Sequence, residues 1–363
     1  MATENYYLTL TCPNKPGIVA AVSTYIFQAG GDIEEAQQFD DKASKRFFMR
    51  VSFSCPTDGN TLRSGFTEIA KRFELNWNLR AVKDLKRVLI MASKLDHCLV
   101  DLLYRWRIGE LPMIICGIVS NHPRDVYASI DFADIPFYHL PVTPETKPAQ
   151  EAKLLEIIAE SKVDMVILAR YMQILSDDFC KPRLGSIINI HHSFLPSFVG
   201  AKPYHQAYQR GVKLIGATAH YVTSDLDEGP IIEQDVERVD HTMDVATVTA
   251  IGRDVESVVL ARALKWHAEH RVLLNGAKTV VINVSGSNVD FHAREGEGCL
   301  ADNVSMMLTK IAAKYKEIGI TQKPYVVVKA DAGTYGMGVM TARSPDDVRG
   351  LNRKQRNKMA VVK

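Results

Sequence analysis

Five apolar runs, separated by segments with helical periodicity, dominate the middle of this 363-residue chain. Runs that are apolar at every position are typical of strands buried on both faces, and strands that alternate with helices form parallel sheets. The pattern therefore predicts a doubly wound, mostly parallel α/β sheet. The runs are RVLIMAS, MIICGIV, FYHLPV, DMVILAR and SIINIHH.

The segments that follow these runs complete the predicted sheet. LIGATAHYVTSDLDEGPIIEQDVERV contains two longer strands around a turn. Residues 244–274 place valine, isoleucine and leucine at helical spacing, which predicts one long amphipathic helix that closes the domain. We assign residues 84–282 to this domain.

The two ends of the chain have other patterns. In residues 1–83, strand, helix, strand, strand, helix and strand follow one another, which is the split βαβ order. Residues 283–363 carry a strand, a glycine-rich turn and a second strand, and they predict a separate α+β segment. A chain of this length exceeds one ordinary core, in agreement with three parts.

Composition excludes several functional classes. The net charge of +2 gives no electrostatic reason to expect nucleic acid or membrane partners. No apolar stretch approaches the roughly 20 residues that span a bilayer, and MATENYYLTLTCPNK lacks the features of a signal peptide. Six scattered cysteines without a metal-binding spacing predict buried, reduced thiols in a cytoplasmic protein.

Polar residues suited to acyl chemistry follow the last apolar run. Asn189 and His191 are two apart on a strand, so both point to the same face at the carboxyl end of the sheet. An amide N–H can stabilise an oxyanion, and an imidazole can move a proton at neutral pH. A carboxylate from Asp225, Asp227 or Glu228 would complete the set.

The residues alone leave a structural role open, because histidines at a strand end can simply cap the following helix. The chain has neither a GxSxG nucleophile elbow nor an HExxH metal motif. We therefore expect an activated water or an incoming amine as the nucleophile, and no metal.

NIHHSFLPSFVGAKPYHQAYQRG followed by GATAHYVTSDLDEGPIIEQ resembles the N10-formyltetrahydrofolate transferase and hydrolase fold. The resemblance implies that Asn189, His191 and Asp227 are catalytic, and it implies no catalytic role for His192. LARYMQIL resembles the folate-binding strand and loop of the family. The substrate-binding positions so implied are Met172, Gln173, Ile174, Leu175, His220 and Val222.

The loop after the first apolar run favours hydrolysis over transfer. Transferases that act on a phosphorylated amine hold the phosphate with a glycine-rich turn at a helix N-terminus. Here Lys94, Leu95 and Asp96 occupy that turn, where glycine is absent and an aspartate would repel the phosphate. Water is therefore the better acceptor.

The N-terminal stretch TCPNKPGIVAAVSTYIFQAGGDIEEAQQ resembles an ACT domain, a small-molecule sensor. The resemblance implies an effector-binding turn at Asn14, Gly17 and Ile18, with glycine or methionine as candidate effectors. A plain dimerisation unit is the alternative. ACT domains commonly pair edge to edge, so the resemblance also implies a homo-oligomer.

Residues 5–282 together resemble the formyltetrahydrofolate deformylase family. The resemblance implies hydrolysis of N10-formyltetrahydrofolate to formate and tetrahydrofolate without a cofactor. The formate would supply purine synthesis, and the reaction would balance one-carbon pools. A formyltransferase with an amine acceptor and a non-catalytic folate- or amino-acid-binding regulator remain as alternatives.

The tail, residues 283–363, does not belong to that family. KPYVVVKADAGTYGMGVMT contains Gly333, Gly336, Gly338 and Lys329, which could bind a nucleotide phosphate or form a plain hairpin. The whole stretch resembles an internal piece of the proteobacterial type of glutamate–cysteine ligase. Because about 80 residues are too few for a full nucleotide cleft, we expect a partial, non-functional ligase segment.

Overall fold

The chain forms two compact units, Met1–Ile282 and Asn283–Lys363. The computed structural model describes residues 3–195, 203–282, 297–317, 320–329, 339–351 and 355. The domain boundary that the sequence predicts near residue 83 falls inside the first unit and stays a prediction.

A four-stranded antiparallel sheet with two helices forms the N-terminal part of the first unit. Its strand order is β2-β3-β1-β4, and the βαββαβ order predicted from the sequence is confirmed. One face of the sheet packs against both helices around a shared apolar core. The elements are β1 (Glu4–Pro13), α1 (Ile18–Gln28), β2 (Asp32–Asp41), β3 (Arg46–Cys55), α2 (Gly59–Phe73) and β4 (Asn76–Ala81).

A seven-stranded sheet forms the rest of the unit, in the order β11-β10-β9-β8-β5-β6-β7. Strands β5 to β9 are parallel to one another, whereas β10 is antiparallel to both β9 and β11. The mostly parallel sheet is thus confirmed. The elements of this part are β5 (Lys86–Ala92), α3 (His97–Arg107), β6 (Met113–Ser120), β7 (Phe137–His139), α4 (Lys147–Glu160), β8 (Met165–Leu168), α5 (Asp177–Cys180), β9 (Ile187–His191), α6 (Pro203–Gln209), β10 (Leu214–Tyr221), β11 (Ile231–Arg238) and α7 (Val245–Ala268), followed by the separate pair β12 (Val272–Asn275) and β13 (Lys278–Val281).

The strand order reverses between β5 and β8, because the chain runs from β5 to β6 and β7 before it returns to β8 on the other side. Ligands of open α/β sheets bind beyond the carboxyl ends of the strands at such a switch point. The loops after β5 and β8 meet there, where the backbone N–H of Met172 donates to Ser93 Oγ at 3.0 Å.

The prediction of one helix over 244–274 is wrong at its C-terminal end. Helix α7 stops at Ala268, and His270 has a φ of 55°, which a continuing helix does not allow. Strand β12 then pairs with β13 in a hairpin whose turn contains Gly276 at a φ of 62°. Asn275 pairs with Lys278, so the two turn residues are Gly276 and Ala277, and a glycine at the first turn position is the hairpin signal that the apolar spacing obscured.

The second unit has an α+β composition, as predicted. Strand β14 (Val326–Lys329) pairs antiparallel with β15 (Val339–Ala342). Helix α8 (Glu297–Glu317) precedes this pair, α9 (Asp346–Arg349) follows it, and buried aliphatic side chains join them in one small core. Gly333, Gly336 and Gly338 lie outside the described residues, so a nucleotide role for that turn stays a prediction.

None of the described helices combines the length and the apolar character that a membrane crossing needs. Five cysteines are buried free thiols, which confirms the expectation from their scattered positions, and the side chain of Cys299 lies outside the described residues. The five are Cys12, Cys55, Cys98, Cys116 and Cys180.

A buried arginine joins the two sheets of the first unit. Arg50 on β3 pairs with Glu35 at 3.0 Å, and its Nε donates to the backbone carbonyl of Glu269 at 3.0 Å, just beyond α7. Its guanidinium also lies 4.4 Å from the ring centroid of Tyr7. The N-terminal sheet is therefore fixed to the end of α7.

We expect Arg50→Met to lower the free energy of unfolding by about 3 kcal/mol, because breaking a buried pair leaves Glu35 without its counter-charge. Arg262→Met is the matched control. Arg262 pairs with Asp235 at 2.8 Å, but the two side chains are 46% and 41% exposed, so we expect a loss below about 1 kcal/mol. Urea denaturation measures both, and equal losses would contradict the buried link.

Candidate active site

Strands β9 and β10 bring three of the polar side chains together. They pair antiparallel with His220 opposite Asn189 and Thr218 opposite His191. Asn189 and His191 are two apart on β9 and so share a face, as predicted. The register of β10 against β11 shifts between Ala219 and His220, and such an irregularity changes the direction of the side chains beside it.

The loop between β10 and β11 folds back over the end of β10 and carries Asp227. Gly229 makes this possible, because a Cβ at that position would lie only 1.7 Å from the carbonyl oxygen of Tyr221. The backbone N–H of Tyr221 donates to the Pro230 carbonyl at 2.9 Å. Asp227 itself has a φ of 57°, a conformation that non-glycine residues adopt mostly where the surroundings impose it.

Asp227 lies between two imidazoles. Its Oδ2 is 3.3 Å from Nδ1 of His191, and its Oδ1 is 3.6 Å from Nε2 of His220. Hydrogen bonding with His191, and then with His220, holds the pKa of the Asp227 carboxyl well below its usual range. Asp227 is therefore an anion at neutral pH.

The two ring nitrogens of His191 have different surroundings. Its Nδ1 faces the Asp227 carboxylate, which favours a proton on that nitrogen. Its Nε2 is buried and has no hydrogen-bond partner among the described residues. A buried, unpaired acceptor is costly unless a ligand or water completes it, so this atom marks the reactive position.

His220 is a buried residue that contacts both Asn189 and Asp227. It is 1% exposed, and its Nδ1 lies 2.9 Å from the Tyr221 carbonyl, which can only accept. Its Nε2 lies 3.2 Å from the amide nitrogen of Asn189 and 3.6 Å from Oδ1 of Asp227, so the ring joins both groups. The ring contacts Asn189 and Asp227 rather than an open surface, and its predicted role in substrate binding stays a prediction.

The predicted folate loop follows β8 at the switch point. Met172 and Ile174 are 56% and 63% exposed, Gln173 is half-buried, and Leu175 packs in the core with Val222 against the same cluster. Two exposed apolar side chains next to a polar cluster suit a ligand with a flat, partly apolar ring.

The sequence interpretation missed a second polar cluster beside the first. Glu256 on α7 is fully buried and contacts His97, Tyr204 and Arg170. The ring of His192, which had no assigned role, lies 5.1 Å from that of His191. A glutamate inside the apolar stripe of a helix was the available signal.

Metal binding by this second cluster is disfavoured. The ligand atoms of His97, Cys98 and Glu256 lie within 4.8 Å of one another. Burial, and then the charge of Glu256, raises the pKa of the Cys98 thiol, which keeps it protonated. Arg170 already supplies a positive charge at Glu256. The set therefore fits an internal ion pair better than a cation site.

The predicted effector turn lies at the start of α1. Asn14 is exposed and its backbone N–H donates to the Lys45 carbonyl at 3.0 Å, while Gly17 caps the helix at a φ of 92°. Ile18 is buried in the core of the N-terminal sheet, so its side chain is not available to an effector. The effector role of this turn stays a prediction.

Comparison with known proteins identifies the family. The profile described as formyl transferase matches residues 86–264. A formyltetrahydrofolate deformylase from a Corynebacterium strain is 50% identical over 280 residues, which are 76% of this chain and 98% of the relative. The chain belongs to the formyltetrahydrofolate deformylase family.

Solved structures of the deformylase family agree. The Pseudomonas syringae deformylase is 47% identical with a TM-score of 0.75, over 78% of this chain and 96% of that one. The Burkholderia mallei deformylase is 52% identical with a TM-score of 0.74, over 77% and 100%. The profile described as glutamate-cysteine ligase matches residues 278–363, which supports the resemblance noted for the tail.

We expect Gly229→Ala to separate Asp227 from His191, because the added Cβ must push the loop away from the Tyr221 carbonyl. The free energy of unfolding should fall by about 1–3 kcal/mol, and the imidazole ¹⁵N signals of His191 and His220 should shift. Gly211→Ala is the control, because its φ of 61° strains an alanine while its Cβ would meet open space, so stability should fall without a shift of the imidazole signals. Unchanged imidazole signals in Gly229→Ala would show that the loop does not depend on this glycine.

Proposed function

We propose that the chain hydrolyses N10-formyltetrahydrofolate to formate and tetrahydrofolate. Its membership of the deformylase family supports this reaction. The observation that carries the proposal is His191, whose Nδ1 faces an ionised Asp227 and whose Nε2 is buried and unpaired.

In the proposed mechanism, the formyl group lies beside Asn189 and His191. Asp227 and His191 orient a water and take its proton, and the water oxygen bonds to the formyl carbon. The Asn189 N–H and the protonated His191 stabilise the resulting oxyanion. The carbon–N10 bond then breaks as N10 receives the proton from His191, and formic acid leaves as formate after its remaining proton passes to solvent.

We propose that the folate ring binds at the loop after β8, on Met172, Gln173, Ile174 and Leu175, with Val222 beside them. The exposure of Met172 and Ile174 supports this placement, since both offer apolar surface to a ring. Because His220 is buried, we propose that it acts by orienting Asn189 rather than by touching the folate.

Water is the favoured acceptor over an amine. The turn after β5 contains Lys94, Leu95 and Asp96, and α3 begins directly after it without a glycine. Asp96 would repel the phosphate of a phosphorylated amine. A formyltransferase with an amine acceptor is the alternative, and a non-catalytic regulator has no use for the arrangement around His191.

Regulation and assembly are further parts of the proposal. The βαββαβ sheet supports an ACT-type sensor that binds glycine or methionine near Asn14 and Gly17, and it supports pairing into a homo-oligomer. Buried free thiols support a reducing compartment such as the cytoplasm.

We expect Asn189→Ala, His191→Ala and Asp227→Asn each to lower kcat for formate release by about 10²–10³-fold, because each removes a group that acts on the transition state. The KM for the folate should change little, since the ring binds elsewhere. His241→Ala, an exposed histidine on the loop after β11, is the control and should retain full activity.

Near-normal turnover in His191→Ala would contradict the assigned roles. Formate release in the absence of any amine supports hydrolysis. Much faster formyl transfer to an added amine than to water would favour the transferase instead, and tight folate binding without turnover would favour the regulator.

A further inference from the structure

A buried group of charged and polar side chains packs beside His191 on the side of α7. We call it the Glu256 cluster, and it consists of His97, Arg170, Tyr204 and Glu256. Nε2 of His97 lies 2.8 Å from Glu256 Oε2, the Tyr204 hydroxyl donates to Oε1 at 2.5 Å, and Nε of Arg170 lies 3.2 Å from Oε2. One carboxylate thus holds side chains from three other segments.

Glu256 and Arg170 must pair because both are buried. Glu256 is 0% exposed and Arg170 is 8% exposed, and buried charges are tolerated only when they are paired. Nε and Nη1 of Arg170 have no hydrogen-bond partner among the described residues, so the charge of Glu256 is what compensates them. Removing Glu256 would leave an uncompensated cation beside the proposed catalytic residues.

Two features of the backbone indicate that the fold specifically accommodates the contacts of Arg170 and Tyr204 with Glu256. Arg170 has a φ of 62°, which is a strained conformation for a non-glycine residue. It follows the carboxyl end of β8, where the strand order of the sheet reverses. Gly252 on α7 leaves room for the Tyr204 ring, because a Cβ there would lie 2.2 Å from that ring. Gly252 of α7 therefore lets the Tyr204 ring pass close to the helix and reach Glu256.

The cluster connects to His191 through one ring. His192 lies between the two, 5.1 Å from the His191 ring and 6.3 Å from the Tyr204 ring, which it meets edge-on at 62°. Burial, and then the charge of Arg170, lowers the pKa of His192 to about 4. His192 is therefore neutral at physiological pH, and its ring packs against the ring of His191.

We propose that Glu256 is a positioning residue that, through Tyr204 and His192, holds the His191 ring in the plane where Nε2 faces the attacking water. The inference rests on the proposed deformylase reaction and adds a residue to it. Arg170 begins the folate loop, but the side chains of Met172, Gln173, Ile174 and Leu175 lie outside the cluster, so we expect a larger effect on turnover than on folate binding. A ring displaced by about 1 Å can lose about 10²-fold in rate.

The test compares three variants in the formate-release assay, each well below its own melting temperature. Glu256→Gln should lower kcat by about 10–100-fold with KM for N10-formyltetrahydrofolate within about threefold, and it should shift the imidazole ¹⁵N signals of His191. Tyr204→Phe keeps the ring and removes only the hydroxyl, so it should fold and still lower kcat by about fivefold.

Asp164→Asn is the matched control. Asp164 pairs with Arg80 at 3.1 Å, away from His191, so its loss should affect stability and leave kcat and the His191 signals unchanged. Unchanged kcat in both Glu256→Gln and Tyr204→Phe would overturn the inference, as would a rise in KM that accounts for the whole loss. A wild-type protein that releases no formate would instead overturn the proposed function.

Discussion

A half-buried carboxylate between two imidazoles is the interaction on which the rest of the site depends. Asp227 stays ionised because His191 and His220 both face it, and its charge selects the nitrogen of His191 that carries the proton. The other nitrogen is buried without a partner among the described residues, and it is left as an acceptor for the attacking water. Proton transfer and charge stabilisation then need no further reorganisation of the protein.

The pairing of neighbouring strands and the position of one loop produce this arrangement. Antiparallel pairing of β9 with β10 sets His220 opposite Asn189, and the return of the next loop over Tyr221 brings Asp227 to both strands. The switch point between β5 and β8 opens the crevice beside them. Helix α7 packs against β9 and β10 below the site, and it ends where Arg50 fixes the N-terminal sheet. One helix thus contacts both sheets of the unit.

Local patterns predicted most of this fold. Apolar runs identified the parallel strands, and the alternation in residues 5–82 gave the βαββαβ order, because burial on one or two faces leaves a direct trace in the sequence. The approach of Asp227 to His191 was predicted from a family resemblance, and its geometry depends on Gly229, which no periodicity reveals. The end of α7 was missed because Val272–Asn275 is as apolar as a helix face.

Spacing marks Glu256 as a charge inside an apolar helix face, but it does not identify the side chains that Glu256 contacts. The members of the Glu256 cluster come from α3, the loop after β8, α6 and α7, and only tertiary packing brings them together. Sequence patterns report which face is buried, but they do not report which buried charges meet. The ligase-like tail is a different case, because its glycine turn lies outside the described residues and its family was visible from similarity alone.

A crystal structure with a non-hydrolysable N10-formyl folate analogue would show where the formyl group binds. We expect the carbonyl carbon of the analogue about 3–3.5 Å from an ordered water that contacts His191 or Asp227, with the carbonyl oxygen at the Asn189 amide. An analogue bound with its N10 substituent pointing away from His191 would contradict this placement.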